Sequence, residues 1–433
     1  MGFWSKLFGA KPAESTSEQG EAAPPIGDSK PSPKAAFVAW CLDEIRRHPA
    51  VERAEAVDGP GLPVSIWTSA GQQKMFLQNT FVETRDSSPE QRSSALRRLI
   101  SCIDTSEEER DWDSAMPSLV PLLRASTFGG AVGMGATMVR LPFVPFLTLF
   151  IGLDDAARIV FSNNKELEAW GQTPESALSQ AFVNLGKHVA SATQECPDSE
   201  PYDDDAPYPI WHVTRDDSYE SSRITLPGYL ESFRGRVLGN PIAIVPHRSM
   251  LVISGDGHPE ALRRLAEMAE REFSASTRSV SPAIYTTDAN ARVAPLRLAP
   301  EHPQHDLVER GHQLLAHDVY HEQKTLLEKR FEQEGLDVFV ATHMLLTDKK
   351  TGKLSSSSTM TEGVPSLLPE TDKLALVSRS SGRKVLVVAR AVVAELAPEC
   401  FEPAHGFDPP RIRTLSWPSP EKLAELERRA SST

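Results

Sequence analysis

The chain has 433 residues, 40% of them hydrophobic and 24% charged, too many for a single core and enough for roughly two or three domains. Forty-six Lys and Arg against 59 Asp and Glu leave a formal charge of −13. That balance repels nucleic-acid phosphate and anionic lipid, so nucleic acid is excluded as a partner.

Residues 1–9 place Phe3, Trp4, Leu7 and Phe8 on one helical face, ahead of a Pro-, Ser- and Glu-rich stretch without apolar periodicity. Residues 1–34 therefore read as a disordered tail with an aromatic tip. The tip is too short to span a bilayer, and its functional reading is weak docking on a membrane surface or a partner protein. No secretory signal pattern is seen, and Lys6 stands where N-myristoylation requires Ser or Thr. Four widely spaced cysteines, Cys41, Cys102, Cys196 and Cys400, form no CxxC motif. Together these features predict a cytoplasmic protein.

From Ala35 the pattern is globular. A helix is expected with Phe37, Trp40, Cys41 and Ile45 inward, then strands over 64–67 and 74–81 around Gly71, and a helix over 90–103. The apolar run 128–153 carries Arg140, Pro142 and Pro145, so it reads as a Gly-rich loop leading into a buried strand rather than a membrane span. Its strand, over 146–153, is expected to pair with 158–161. Thr173 as N-cap and Pro174 behind it open a helix with Ala177, Leu178, Ala181, Phe182 and Leu185 inward. A strand over 210–214, a short helix over 221–233, a hairpin around His247-Arg248 and an amphipathic helix over 259–273 complete an α+β core assigned to residues 35–285.

Beyond Pro282 a proline-rich loop and a long polar helix over 305–334, interrupted near Gly311, form a connector, 286–335. Strands over 338–346, 354–360, 373–378 and 384–393, with turns at 349–352 and 380–383, predict a smaller antiparallel β module, 336–415. A tail helix over 420–429 within 416–433 offers Leu423 and Leu426 for docking back. The fold class is thus α+β: a mixed or antiparallel sheet core with amphipathic helices, plus the C-terminal module.

Several pieces in the middle of the chain resemble, in order and approximate spacing, the YtpQ family, a bacterial domain of unknown function. They are Pro121-Leu122-Leu123-Arg124 with Ser126-Thr127-Phe128, Phe182-Val183-Asn184-Leu185, Asp217 through Arg223 (DSYESSR), and Ile242 through His247 (IAIVPH) with Leu251-Val252-Ile253. The resemblance covers residues 120–285. It implies no activity, and no catalytic role is carried over.

Among single residues, Tyr219, Ser222, Arg223, His247 and Arg248 are the candidate ligand-binding set. If the segment from Tyr219 opens a helix, its N–H groups, the Ser222 hydroxyl and the Arg223 fork are suited to a carboxylate or phosphate. The competing reading has Arg223 paired internally with Asp216, Asp217 or a carbonyl, pinning the loop to the sheet. No G-x-S-x-G or S-x-x-K nucleophile motif occurs, and Gly133-Met134-Gly135 lacks the third glycine of a dinucleotide loop, position 138 being Met138. The serines 355–358 read as a solvated run. His317 and His321 stand four apart, a zinc-compatible spacing, but His305 and His312 point elsewhere at about 100° per residue and HEXXH is absent. An exposed polar helix is the preferred reading, with no metal and no cofactor. The sequence thus favours a non-catalytic interaction or ligand-binding protein whose partner is another protein or an anionic small ligand. The alternative is a hydrolase that uses Arg223 to hold an anionic substrate.

Overall fold

A computed structural model describes residues 32–430 apart from 59–60, 70, 101–102, 104–109, 131–137, 155–158, 193–196, 204, 214, 216, 380–384 and the Arg98 side chain. The tip Phe3, Trp4, Leu7 and Phe8, the Gly133-Met134-Gly135 stretch, Cys102, Cys196 and the turn at 380–383 lie outside the described residues. The fold class is α+β, and the chain forms two compact units, Met1–Thr105 and Ser106–Thr433. No helix among the described residues is long and apolar enough to cross a membrane.

In the first unit, α1 (Pro33–Ile45) starts where the Ser32 hydroxyl accepts the Ala35 N–H, and it buries Phe37, Cys41, Leu42 and Ile45. These side chains share a core with the antiparallel sheet β1 (Arg53–Ala56), β2 (Pro63–Thr68) and β3 (Gly71–Phe76). Gly71, at φ 123°, makes the turn between β2 and β3. The strand expected to run to 81 ends at Phe76. Residues 78–84 form α2 (Gln78–Thr84) instead, and Phe81 meets the Phe37 ring edge-on at 5.2 Å. Helix α3 (Pro89–Ile100) closes the core with Leu96 and Ile100.

The second unit opens on the short α4 (Trp112–Ala115). Strands β4 (Leu119–Ala125), β5 (Arg140–Val144), β6 (Leu147–Asp154) and β7 (Ile159–Phe161) form an antiparallel sheet with β6 at its centre. Helices α5 (Asn164–Ala169) and α6 (Pro174–Ala190) each start with a capping box, Asn163 with Glu166 and Thr173 with Ser176. Asn184 of α6 donates to the carbonyls of Met116 and Leu119, fixing the helix at the root of β4.

The largest sheet is built from β8 (Ser199–Pro201), β9 (Trp211–Val213), β10 (Pro241–Ile244), β11 (Val252–Gly255), β12 (Ile284–Thr287) and β13 (Val293–Pro295), all antiparallel, in the order β13-β12-β10-β11-β9-β8. Alternation along the strands separates its faces. Ile242, Ile244, Val252 and Ile284 pack under α7 (Pro259–Ala275), while Ala243, Ile253 and Tyr285 pack toward Leu123, Leu147 and Leu149 of the first sheet. The proline-rich stretch thus contributes strands as well as loop. Where a short helix is expected over 221–233, two 3-10 turns, Ser221–Thr225 and Glu231–Phe233, flank Leu226-Pro227-Gly228. Pro227 has no N–H to donate and holds Leu226 in extended backbone, ψ 129°.

Helix α8 (His305–Glu334) runs unbroken through Gly311, correcting the expected interruption. A Cβ at 311 would stand 2.5 Å from the Pro282 carbonyl oxygen, so this glycine permits close approach rather than a break. The helix is also not exposed all round, for His312, Tyr320 and Gln323 are buried beside Val319 and Leu327.

After α8 come two four-stranded sheets. The first contains β14 (Phe339–Val340), β17 (Ser366–Pro369), β20 (Phe401–Ala404) and β21 (Arg411–Thr414); the second contains β15 (Met344–Thr347), β16 (Leu354–Thr361), β18 (Lys373–Val377) and β19 (Val385–Ala389). Each holds one parallel pair, β14 with β17 and β16 with β18, so this part is mixed rather than antiparallel throughout. The strand expected over 338–346 is split between the two sheets. The one expected over 384–393 ends at Ala389, where α9 (Arg390–Leu396) begins. Ser356, Ser357 and Ser358 are buried on β16, not solvated; Asp372 accepts from both the N–H and the hydroxyl of Ser356. Helix α10 (Pro420–Ala430) docks back through a fully buried Leu426.

Arg411 ties these sheets to α8. Its guanidinium, 1% exposed, donates to Gln323 Oε1 at 2.6 Å, to the carbonyls of Ala341 and Leu367 at 3.1 Å, and to that of Tyr320 at 3.3 Å. Tyr320 and Gln323 in turn donate to the carbonyls of Pro410 and Pro409. Arg411→Met removes every one of these donors at once and is expected to lower stability by roughly 3–5 kcal/mol, measured as a reduced urea midpoint. A loss below about 1 kcal/mol would mean the stranded carbonyls find other donors.

Candidate functional site

Arg223 lies on the 3-10 turn Ser221–Thr225, which packs on β4, and its side chain has no exposed surface. Its Nε donates to Asp198 Oδ1 at 2.7 Å, Nη1 to Asp217 Oδ1 at 2.9 Å and Nη2 to Asp217 Oδ2 at 2.6 Å. Tyr229 Oη donates to the other Asp198 oxygen at 2.6 Å. Burial by itself lowers an arginine pKa, but the two carboxylates outweigh it and the Arg223 pKa is raised. The same balance acts on Asp217 in reverse: burial pushes its carboxyl up, yet Arg223 and the Tyr219 N–H hold it below the ordinary carboxylate range. The fork is therefore engaged by the chain's own acids. Asp198 was not foreseen as its partner, nor Tyr229 as the donor to Asp198, and Asp216 lies outside the described residues.

Tyr219 is buried, its hydroxyl bonded to Asp154 and its ring 5.6 Å from that of His188; burial first and Asp154 second raise its pKa. The Ser222 hydroxyl accepts the Leu123 N–H at 3.2 Å, joining the turn to β4. The expected nest of free N–H groups does not form, because Tyr219, Ser221, Ser222 and Arg223 all donate within the chain. The Ser221 hydroxyl is buried without a partner.

The Ser221 N–H donates to the Arg248 carbonyl, and the Arg248 N–H to that of Arg278, each at 3.2 Å. Three segments, each with an arginine near the contact, are thereby laced together: β4 with Arg124, the β10–β11 connection with Arg248, and the stretch after α7 with Arg278. Arg124 lies over the Phe128 and Phe161 rings at 5.7 and 6.0 Å and donates to its neighbour's carbonyl, Leu123 O, at 2.7 Å. Burial, and then the charge of Arg278, bring its pKa down to about 10. Arg248 has a buried Nε without a hydrogen-bond partner among the described residues. His247 belongs to the same contact through its β-bridge to Ser279, and burial lowers its pKa. Arg124 and Arg278 were not singled out from sequence. The signal available for Arg124 was its place at the end of an apolar strand, just before Ser126-Thr127-Phe128.

Two α8 histidines, the buried His312 and the half-buried His317, bond backbone carbonyls of other segments. His312 Nε2 bonds the Leu296 carbonyl, and His317 Nδ1 that of His343. Among the described residues no group of three or more His, Cys, Asp or Glu is placed to hold a metal ion.

No family model matches the chain. No solved structure matches it. A UPF0354 protein of Listeria innocua is 23% identical over 136 residues, 31% of this chain and 48% of that protein. The match is distant, and it spans about half the length of the curated relative.

Two outcomes follow from the clamp. Arg223→Ala strands two partly buried carboxylates and is expected to cost roughly 3–5 kcal/mol, read by urea unfolding; unchanged stability would remove the clamp. The pH dependence has a definite sign. Because folding depresses the Asp217 pKa, its contribution is present above the unfolded value of about 3.9 and is lost as pH falls through the folded one. Asp217→Asn should therefore flatten the fall of the urea midpoint between about pH 5 and pH 2, and an unaltered slope would assign that fall to other carboxylates.

Proposed function

We propose that the protein is a non-catalytic, cytoplasmic ligand-binding module of the YtpQ kind, and that it holds the anionic group of a small ligand where Arg124 and Arg248 flank the pinned segment Tyr219–Ser222. The observation that carries this reading is Arg124. It is a largely buried cation with a carbonyl and two rings for partners, no carboxylate among the described residues, and a second arginine close enough to lower its pKa. A desolvated cation in that setting is unfavourable until an anion arrives. Further support is that the pieces of the YtpQ resemblance meet here, Leu123 on Ser222 and Ser221 on Arg248. In the same reading, Phe3, Trp4, Leu7 and Phe8 serve as a docking peptide for a protein or membrane surface.

Thermal unfolding with inorganic phosphate tests the site. Millimolar phosphate should raise the midpoint of the wild-type chain. Arg124→Met should abolish that response and stabilise the unliganded protein by about 1–3 kcal/mol, since an apolar side chain replaces a buried cation without a counter-charge. An equal phosphate response in both proteins, or a large loss of stability in the variant, would overturn the reading.

A further inference from the structure

We propose that the C-terminal part of the chain holds a second, independent site for a small monocarboxylate with an apolar body, seated between α9 and the strands β20 and β21 with its carboxylate on Arg390. A cavity of about 230 Å³ lies there, walled by Val393, Ala394, Phe401, Pro403 and Ile412, with Arg390 and Glu402 as its charged residues. Arg390, Val393 and Ala394 stand at i, i+3 and i+4 on α9 and so share one helix face, while Phe401 and Ile412 come from the two neighbouring strands.

The unusual feature is the guanidinium. Its Nη1 is buried with no partner, and among the described residues the head makes neither a hydrogen bond nor an ion pair; its contact is the Phe401 ring, 5.6 Å from Cζ. Glu370 is near enough for its charge to act on Arg390 but accepts no hydrogen bond from it. A buried guanidinium nitrogen is ordinarily satisfied, as those of Arg223 and Arg411 are in this chain, so the unsatisfied Nη1 of the half-buried Arg390 on the wall of this cavity marks the place of a missing acceptor.

Size and charge narrow the class. At about 30 Å³ per water the cavity holds roughly eight water volumes, room for a branched or aromatic acid but not for a nucleotide. A single arginine, with the Glu402 carboxylate also on the wall, suits one negative charge and disfavours a phosphate dianion. The apolar walls exclude a purely polar ion and favour a hydrocarbon body.

Calorimetric titration of the full chain with isocaproate and phenylacetate, with isoamylamine and methyl isocaproate as controls, decides the matter. The acids should bind with dissociation constants of roughly 1 mM or tighter, and the amine and the ester at least tenfold more weakly. Arg390→Met keeps the stem and removes the charge, and should weaken acid binding at least tenfold. Ala394→Phe fills the cavity from an exposed helix position with Arg390 intact, and should do the same; it decides the question should Arg390→Met not fold. The proposal is overturned if neither acid binds the wild-type chain up to about 10 mM, if the ester binds as well as the acid, or if acid binding survives the cavity-filling variant. Because Arg124→Met leaves this cavity untouched, acid binding should persist in it, which separates failure here from failure of the phosphate site.

Discussion

The arrangement of the middle of the chain depends on one buried charge cluster, the Arg223 guanidinium held by Asp198 and Asp217. Asp198 belongs to the entrance of β8, Asp217 to the loop after β9, and Arg223 to the turn that carries the segment back over β4. A charge with no exposed surface is costly to leave unpaired, so these three pieces of backbone are fixed together or the region does not close. An apolar set of the same volume can stabilise as much, but it does not dictate which loop meets which. The bidentate fork specifies distance and plane as well as attraction. With the turn fixed, Ser222 reaches the Leu123 N–H, and the sheet built on β6 and the six-stranded sheet acquire a defined junction.

Helix α8 performs the corresponding task in the second half with uncharged acceptors. Its near face packs on α7, where Arg310 pairs with Glu270, and farther along it reaches Arg411 through Gln323 and Tyr320. Arg411 satisfies its donors almost entirely with carbonyls, and burial brings its pKa down to about 10. The consequence is a continuous compact unit from Ser106 onward, in which the connector and the C-terminal sheets share a polar core with the helix.

What was legible in the sequence is what local chemistry decides. The start of α6 follows from Thr173 and Pro174, the β15–β16 turn from the Asp348-to-Gly352 stretch, with Gly352 at φ 73°, and the docking of α10 from the spacing of Leu423 and Leu426. What was not legible depends on partners far along the chain. Ser355–358 looks solvated until Asp372, just ahead of the neighbouring strand β18, accepts from Ser356. The α8 stripe looks polar because its buried positions include His312, Tyr320 and Gln323, each satisfied by a carbonyl from another segment. Gly311 looks like a break because periodicity counts residues and cannot see the Pro282 carbonyl against which the helix packs. Of the candidate site, Tyr219, Ser222 and Arg223 could be picked out by composition. The roles they take were not readable, because Asp198 is 25 residues from Arg223 and Leu123 is 99 residues from Ser222.

The buried arginines divide according to what surrounds them, and the division bears on function. Arg223 sits among acids, and its pKa is raised; Arg411 sits among carbonyls, with each of its nitrogens donating. Both are complete without a ligand, and both lie where the structure must hold together. Arg124, with the Leu123 carbonyl as its hydrogen-bond acceptor, and Arg390, with none among the described residues, share the desolvation without a carboxylate bonded to either, and burial lowers the pKa of each. Aromatic faces supply part of what is missing, Phe128 and Phe161 for the first and Phe401 for the second, but a ring quadrupole is worth only about 0.5–2 kcal/mol to a cation, well short of what water gave up. Selection for stability alone would favour methionine or leucine at either position. A cation kept at such a site without a counter-charge is the physical ground on which the two proposed anion sites rest, and no sequence motif supplies it.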